Sequence, residues 1–333
     1  MEAVLINTTF MLGHHGCTLV DRQLDKLASE VGLVITAKLP LQADWEAVAP
    51  ANFDLILVNG EGALHHDSKA ATRIAQVPLW ARGRHRPVCL INSVYQGNSA
   101  VIAAGVKIYD AVFVRDEFSR TALAEAGIAA RVVPDLTLTW DPMVPRGDGH
   151  RIVVTDSTVH TTNVRLHRMA RELGARYLPL KARPAVGKIS RRDRFMVKRL
   201  AAHFAPPGLW RDRWHGLIPE FDDYAGWMAA NAGLVIAGRF HGLCIALDLG
   251  IPVLAVASNT WKMEGVLKQA GLEHRLIADI DALQRRLKTE GIEPFRYSAE
   301  EFDRITALRR EASICARAML RSILAMPLRA DLH

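Results

Sequence analysis

The residues best suited to chemistry lie in the segment Gly238-Arg239-Phe240-His241-Gly242. The apolar run Leu234–Ala237 before it predicts a buried strand. The helical spacing after it ends at Gly250, a residue favoured just beyond a helix C-terminus. Pro252 then opens a second apolar run, Val253–Ala257. The pattern is that of a strand–helix–strand unit, which builds parallel sheets with right-handed crossovers.

An arginine and a histidine at this position indicate an anion site. In open parallel sheets, ligands bind beyond the carboxyl ends of the strands. The free N–H groups at the start of the next helix also attract anions. Arg239 is suited to pair with a carboxylate or phosphate, and His241 to donate or accept a proton near neutral pH. The alternative is structural, with Arg239 at a sheet edge and His241 hydrogen-bonded at the helix start.

Three further residues follow predicted strands. Arg115 ends an apolar run, although Asp116 and Glu117 after it are also typical of an ordinary helix start. Lys262 lies in the first turn of a predicted helix, where it could reach a phosphate or lie on the surface. Asp135 closes a short strand and is either a catalytic base or a turn residue.

The chain that positions these residues alternates strand and helix signals, which is typical of a doubly wound parallel sheet. The alternation is interrupted once, by the turn-rich stretch Trp140–His150, and then begins again. The sequence predicts an α/β fold of two Rossmann-like domains facing a central cleft, at residues 1–140 and 151–310. A terminal helix within 311–333 is expected to pack back on the N-terminal domain. The strands predicted for the first half are Val4–Thr8, Leu33–Lys38, Phe53–Asn59, Pro87–Asn92, Ala111–Val114 and Arg131–Val133.

Composition supports this organisation. A chain of 333 residues, half of them hydrophobic, suits two domains of about 150 residues each. No apolar run approaches the roughly 18 residues that span a bilayer, and the start lacks a basic leader, so we expect a cytoplasmic protein. Four scattered cysteines indicate reduced thiols. The net charge of +7 favours anionic partners.

Four segments resemble the polysaccharide pyruvyl transferase family, and together they span nearly the whole chain. They are Arg115-Asp116-Glu117 with Ser119, Val133-Pro134-Asp135, the segment around Arg239 and His241 with its Gly250-Ile251-Pro252 return, and Trp261-Lys262 leading to Gly271-Leu272. The resemblance implies a two-domain, GT-B-like enzyme of cell-surface polysaccharide assembly in the bacterial cell envelope. It also implies transfer of a pyruvyl group, as a ketal, from phosphoenolpyruvate to a sugar.

The resemblance implies roles for the residues singled out above. His241 is expected to be the catalytic acid–base, and Asp135 is a second catalytic candidate. Arg239, Phe240, Arg115 and Lys262 are expected to bind the donor. Phosphoenolpyruvate serves as co-substrate, and no cofactor is expected.

Two loops depart from the family pattern. The first is Gly13-His14-His15-Gly16-Cys17 and the second runs from Gly60 through Glu61 to His65-His66-Asp67, where the family usually has glycine-rich loops. Both belong to the half expected to bind the acceptor. Adjacent histidines rarely face one ion, so we expect no metal here. We expect His14, His15, Glu61, His65 and His66 to bind the acceptor sugar, with His65 or Glu61 as its base.

One segment of the chain is strongly basic. The segment Lys181–Arg199 holds eight basic residues against one acid and is either a solvated face or a contact with the inner membrane surface. We favour the contact, with a lipid-diphosphate-linked sugar as acceptor.

The alternative function is a GT-B glycosyltransferase that uses a nucleotide-activated sugar, such as a CMP-linked acid sugar, with Glu264 at the ribose. No nucleic-acid partner is expected, because no nucleic-acid-binding motif is present.

Overall fold

The strands of the protein form two parallel sheets. The computed structural model describes residues 1–9, 13–144, 149–181 and 218–327. In the first sheet the strands lie in the order β2-β1-β3-β4-β5-β6. Its strands are β1 (Glu2–Ile6), β2 (Val34–Leu39), β3 (Leu55–His65), β4 (Val88–Gln96), β5 (Ala111–Val114) and β6 (Arg131–Val132).

The second sheet is built from the later part of the chain. Its order is β11-β10-β9-β7-β8, and its strand pairs are likewise parallel. Its strands are β7 (Arg151–Val154), β8 (Arg176–Tyr177), β9 (Ala232–Ala237), β10 (Val253–Val256) and β11 (Leu276–Ile277).

Helices connect the strands and cover the sheets. Within the described ranges, three short 3₁₀ helices lie among the connections: Leu136–Thr139, Glu273–Arg275 and Glu293–Phe295. No helix within the described ranges has the length and apolar character needed to cross a membrane. The described α-helices are α1 (His15–Glu30), α2 (Trp45–Val48), α3 (Lys69–Gly83), α4 (Ala100–Val106), α5 (Glu117–Glu125), α6 (His160–Glu172), α7 (Phe221–Asn231), α8 (Phe240–Asp248), α9 (Lys262–Gln269), α10 (Ile280–Glu290) and α11 (Ala299–Leu324).

Each sheet buries both of its faces. In β1, Val4 and Ile6 pack into one core, whereas Ala3 and Leu5 pack into the core on the opposite face. Successive side chains of a strand point to opposite faces, so a strand that is covered on both sides must be apolar throughout. This explains why central strands such as β1 and β9 are almost entirely apolar. The prediction of a two-part α/β fold with parallel sheets is confirmed, whereas the domain limits stay a prediction.

The order of strands reverses once in each sheet. The first sheet switches direction between β1 and β3, and the second between β7 and β9. Parallel sheets of this kind leave a crevice at the switch point, beyond the carboxyl ends of the strands. The candidate site lies between these two crevices.

One strand is longer than predicted. We expected a loop from Gly60, but β3 continues to His65 and stays paired with β4 as far as the pair His65–Gln96. The register shifts between Glu61 and Leu64, and Glu61 has φ 49. This left-handed backbone is uncommon for a residue other than glycine. Glu61 is therefore held by an irregular strand rather than by a free loop.

The last helix contacts both halves of the molecule. Early in α11, Leu308 and Ala312 pack into the core beneath the second sheet. Later in the same helix, Met319 and Leu320 pack into a core of the first sheet. Arg309, between these two stretches, donates hydrogen bonds to Asp248 (3.2 Å) and to the carbonyl of Trp140 (2.7 Å). The helix thus joins the two sheets.

Candidate active site

A cavity of about 240 Å³ lies where the two sheets face each other. Both sheets contribute to it, because its walls come from residues after β1, β5, β8, β9 and β10 and from β3 itself. Four basic side chains are part of the lining. The cavity is bounded by His14, Cys17, Glu61, Gly62, Arg115, Thr158, Lys181, Arg239, Phe240, His241 and Lys262.

Arg239 is placed by the switch point of the second sheet. It is the N-cap residue of α8, directly after β9, and its side chain does not cap the helix. Instead its Nε donates to Asp156 Oδ2 (2.6 Å) just beyond β7. Asp156 also accepts from the backbone N–H of Leu180 (2.9 Å), which fixes the carboxylate. This partner was missed from sequence, although an acid directly after a predicted strand was the available signal.

Arg115 reaches the cavity wall but is already paired. Its guanidinium contacts Asp135 Oδ2 (2.8 Å) and Glu61 Oε2 (3.3 Å), and its Nε donates to the carbonyl of Asn92 (2.9 Å). The same group lies over the ring of Phe240, with 5.0 Å from Cζ to the ring centroid. We predicted that Arg115 binds the donor directly. Arg115 lines the cavity as a buried cation held by these carboxylates, and its contact with the donor stays a prediction.

Asp135 does not face the cavity. It is 1% exposed, and it accepts hydrogen bonds from the backbone N–H and the hydroxyl of Thr137 (2.9 and 2.6 Å). Burial raises the pKa of Asp135, but Arg115, His241 and Thr137 outweigh it and hold the pKa below its usual value. A carboxylate that stays ionised in a buried ion pair is a poor proton carrier. The ion pair with Arg115 gives Asp135 a positioning role outside the cavity lining, and a catalytic role for Asp135 stays a prediction.

His241 lies in the first turn of α8, at the centre of the site. Its Nε2 is 3.7 Å from Glu61 Oε2, and that nitrogen has no hydrogen-bond partner among the described residues. Burial lowers the pKa of His241, although Glu61 and Asp135 oppose the shift. A neutral imidazole can accept a proton, and a carboxylate at this distance stabilises the imidazolium that results.

Two lysines add positive charge to the cavity. Lys262 is the first residue of α9, and its Nζ donates to Asn259 Oδ1 (3.1 Å). Burial, with Arg115 and Arg239 nearby, lowers the pKa of Lys262 to about 8. Lys181 opens the predicted basic segment Lys181–Arg199, and its remaining residues lie outside the described ranges.

The histidines of the first loop diverge. His14 is the N-cap of α1 and lines the cavity, with its ring 5.6 Å from the ring of His241. His15 turns the other way and packs on Tyr224, with ring centroids 4.2 Å apart. Burial lowers the pKa of His15 to about 4. An aromatic residue of α7 covers His15, which therefore does not line the cavity, and its contact with the acceptor stays a prediction.

The second histidine pair lies outside the cavity. His65 Nε2 is 3.4 Å from Asn259 Nδ2 across the cleft, and His66 lies against Gly97. Both are at the end of β3 and border the site rather than line it.

Glu264, predicted to contact a donor ribose, is in the first turn of α9, and it does not line the cavity either. Its Oε2 is buried without a hydrogen-bond partner among the described residues.

Cys17 was overlooked as a site residue because a cysteine in an apolar context predicts a buried thiol. It lies in the first turn of α1 and lines the cavity. One donor atom each from His14, Cys17 and His241 lies within 4.8 Å of the others. These three residues are the candidate ligands for a metal ion within the described ranges.

Comparison with known proteins gives the family. The sequence profile of polysaccharide pyruvyl transferases matches residues 21–260, which is more than half of the chain. The chain belongs to this family. It is therefore a transferase, and the resemblance noted from its motifs is confirmed. Among curated proteins, none matches the sequence.

Solved structures confirm the fold. UDP-GlcNAc 2-epimerase from Methanocaldococcus jannaschii is 11% identical, with a TM-score of 0.54 over 98% of this chain and 100% of that one. The glycotransferase of kitacinnamycin is 12% identical, with a TM-score of 0.50 over 97% of both chains. A Klebsiella pneumoniae protein of uncharacterised function is 11% identical, with a TM-score of 0.50 over 84% of this chain and 93% of that one. At such low identity the likeness concerns the GT-B-like fold alone.

Proposed function

We propose that the protein transfers a pyruvyl group from phosphoenolpyruvate to a sugar of a cell-surface polysaccharide or of its lipid-linked precursor. One observation carries the proposal: cationic side chains surround a small cavity in which His241 Nε2 lies 3.7 Å from Glu61 Oε2. Phosphoenolpyruvate carries a carboxylate and a phosphate a few bonds apart, and guanidinium and ammonium groups pair with both.

The donor anions would be held from the second sheet. The hydrogen bond to Asp156 fixes the side chain of Arg239, and Lys262 and Lys181 line the same cavity. The N-terminus of α8 opens beside them without a side-chain cap, so its dipole adds attraction for an anion. Arg115 contributes charge from the first sheet while its two carboxylate partners hold it in place.

The proton transfers would use His241 and Glu61. A proton delivered to the methylene carbon makes C2 of phosphoenolpyruvate electrophilic, and a sugar hydroxyl adds to C2 while its proton passes to the His241–Glu61 pair. Phosphate then leaves with its bonding electrons, and a second hydroxyl of the sugar adds to the resulting oxocarbenium carbon and gives its proton to the departing phosphate. The products are the ketal and hydrogen phosphate.

The acceptor would enter from the first sheet. His14 and Glu61 line the cavity there, and His65 and His66 lie at its border. Their nitrogen and oxygen atoms are suited to hydrogen-bond sugar hydroxyls. A lipid-diphosphate-linked acceptor would bring the protein to the inner membrane face from the cytoplasm, where the basic segment Lys181–Arg199 would meet anionic lipid.

Thermal unfolding with added ligand tests the donor. A ligand that binds only the native state at 100 times its Kd adds about 2.7 kcal/mol of stability. We expect phosphoenolpyruvate to raise the melting temperature of the wild type and to have no such effect on Arg239→Ala. Arg165→Ala is the matched control, because Arg165 makes an ion pair with Asp281 on the surface, away from the cavity.

The same assay includes a panel of CMP-, UDP- and GDP-sugars. Stabilisation by a nucleotide sugar, without any effect of phosphoenolpyruvate, would contradict the assignment of phosphoenolpyruvate as donor and favour glycosyl transfer on the same fold. An equal response of wild type and Arg239→Ala to phosphoenolpyruvate would place the donor elsewhere in the molecule.

A further inference from the structure

We propose that the cavity binds one divalent cation of the Zn²⁺ class through His14, Cys17 and His241. One donor atom from each of the three lies within 4.8 Å of the others. Two imidazoles and a thiolate bind Zn²⁺ and Co²⁺ more tightly than they bind Mg²⁺ and Ca²⁺, which favour oxygen ligands. Three protein ligands leave one position of a tetrahedral ion open, as in zinc sites that bind an exchangeable ligand.

Rigid elements present these ligands. His14 is the N-cap of α1, and Cys17 donates its backbone N–H to His14 Nδ1 (3.4 Å) within the first turn of that helix. His241 comes from the first turn of α8, on the other sheet. The two helices approach closely here because Gly16 has no side chain: a Cβ at that position would lie 2.1 Å from Cγ of His241. The glycine therefore allows the third ligand to reach the first two.

An unsatisfied atom supports a ligand at this place. His241 is 7% exposed, yet its Nε2 has no hydrogen-bond partner among the described residues. Buried polar atoms usually have a partner, so an exception needs an explanation. Glu61 Oε2 lies 3.7 Å from that nitrogen, so its negative charge would offset part of the charge of an ion bound there.

Carboxylates offset part of the positive charge around the cavity. Arg115 pairs with Glu61 and Asp135, and Arg239 pairs with Asp156, whereas Lys181 and Lys262 add positive charge that binding of a cation must overcome. A Cys17 thiolate would cancel half of the charge of a divalent ion. From sequence we expected no metal because adjacent histidines rarely bind one ion, and His14 and His15 do point in different directions. The structure instead brings His14 and Cys17 close to His241 from the other side of the cleft.

Metal binding by these residues is independent of the identity of the donor. If His241 moves protons as proposed above, a bound cation occupies its imidazole and excludes that role. Metal binding and pyruvyl transfer would then compete. Zn²⁺ should therefore inhibit transfer, and a chelator should restore it.

Cobalt spectroscopy tests the site without reference to activity. Chelator-treated protein is titrated with Co²⁺ alone. We expect saturation at one equivalent, with intense visible bands typical of tetrahedral Co²⁺ and a thiolate-to-cobalt charge-transfer band in the near ultraviolet. One equivalent of Zn²⁺ should bleach both. Cys17→Ser should lose the charge-transfer band and weaken Co²⁺ binding by more than the roughly 10- to 100-fold that loss of an outer-sphere partner costs.

Cys315→Ser is the matched control, because Cys315 is a free, half-buried thiol on α11 that packs against a core of the first sheet. It should keep the full spectrum. Circular dichroism shows whether Cys17→Ser is folded. His14→Gln provides a second variant, which should weaken Co²⁺ binding through loss of an imidazole ligand although the thiolate remains. A wild type without the band, or a Cys17→Ser protein that keeps it, overturns the proposal. Failure of phosphoenolpyruvate to bind would leave this spectrum unchanged, so the two proposals fail separately.

Discussion

At the scale of single residues, Lys262 is a cavity group whose charge changes near neutral pH. Burial and the neighbouring arginines lower its pKa to about 8, whereas the guanidinium groups stay charged at any working pH. If Lys262 binds the donor phosphate, raising the pH through 8 removes a positive charge from the cavity and weakens donor binding.

We therefore predict that kcat/KM for the donor declines above pH 8, approaching tenfold for each further pH unit. Lys262→Arg should remove this decline because arginine remains protonated. Lys268→Arg, on the same helix with its side chain over Phe118, should keep it. A decline that persists in Lys262→Arg would assign the titration to another group.

His241 provides the second prediction at this scale. As the proton carrier of the proposed reaction it should be worth roughly 10²- to 10⁴-fold in rate. His241→Ala should lower kcat to that extent in the pyruvyl transfer assay while the far-ultraviolet spectrum stays native. Comparable turnover by the wild type and this variant would remove the acid–base role.

At the scale of elements, the approach of α1 to α8 positions the cavity side chains. Gly16, in the first turn of α1, leaves room for His241, and an alanine Cβ would overlap that imidazole. In an open helix interior, replacing glycine with alanine stabilises by about 1 kcal/mol. At Gly16 the overlap should outweigh this gain, because either the helices separate or the imidazole moves.

We predict that Gly16→Ala loses most of the transferase activity. Gly226→Ala, in the interior of α7 with no atom within 4 Å of the new Cβ, should keep activity and melt no lower than the wild type. The comparison controls for helix propensity, since both changes are the same substitution in a helix. Equal activity of the two variants would show that the contact is not required.

At the scale of the whole molecule, α11 connects the two sheets. Leu308 is buried beneath the second sheet and Leu320 against the first, on one continuous helix. Replacing a buried leucine with alanine costs about 2–5 kcal/mol. Because the helix belongs to both cores, loss of either contact should affect both halves.

We predict that Leu308→Ala and Leu320→Ala each lower the melting temperature of one common transition, measured by calorimetry. Ile314→Ala on the same helix is the control, because Ile314 is 60% exposed and its truncation should change little. Two separate transitions, with each variant shifting only one of them, would show that the sheets unfold independently and that α11 does not couple them.

Local patterns predicted much of the fold. The strand Ala111–Val114 has the bounds expected from its apolar run, and Arg239 and His241 open a helix directly after a buried strand. The strand β3 was underestimated, because glycines and a glutamate in Gly60-Glu61-Gly62 indicate a loop, whereas pairing with β4 keeps them in the sheet. Tertiary hydrogen bonding overrode the local propensity there.

The sequence by itself therefore determined the alternation of strands and helices, the family, and the positions of Arg239 and His241 at a strand end, because these depend on neighbours along the chain. Only the tertiary structure decided which side chains meet. The burial of His15 against Tyr224, the pairing of Arg115 with Asp135, and the convergence of His14, Cys17 and His241 each join separate segments. Such contacts depend on how helices and sheets pack in space, and no spacing along the chain encodes them.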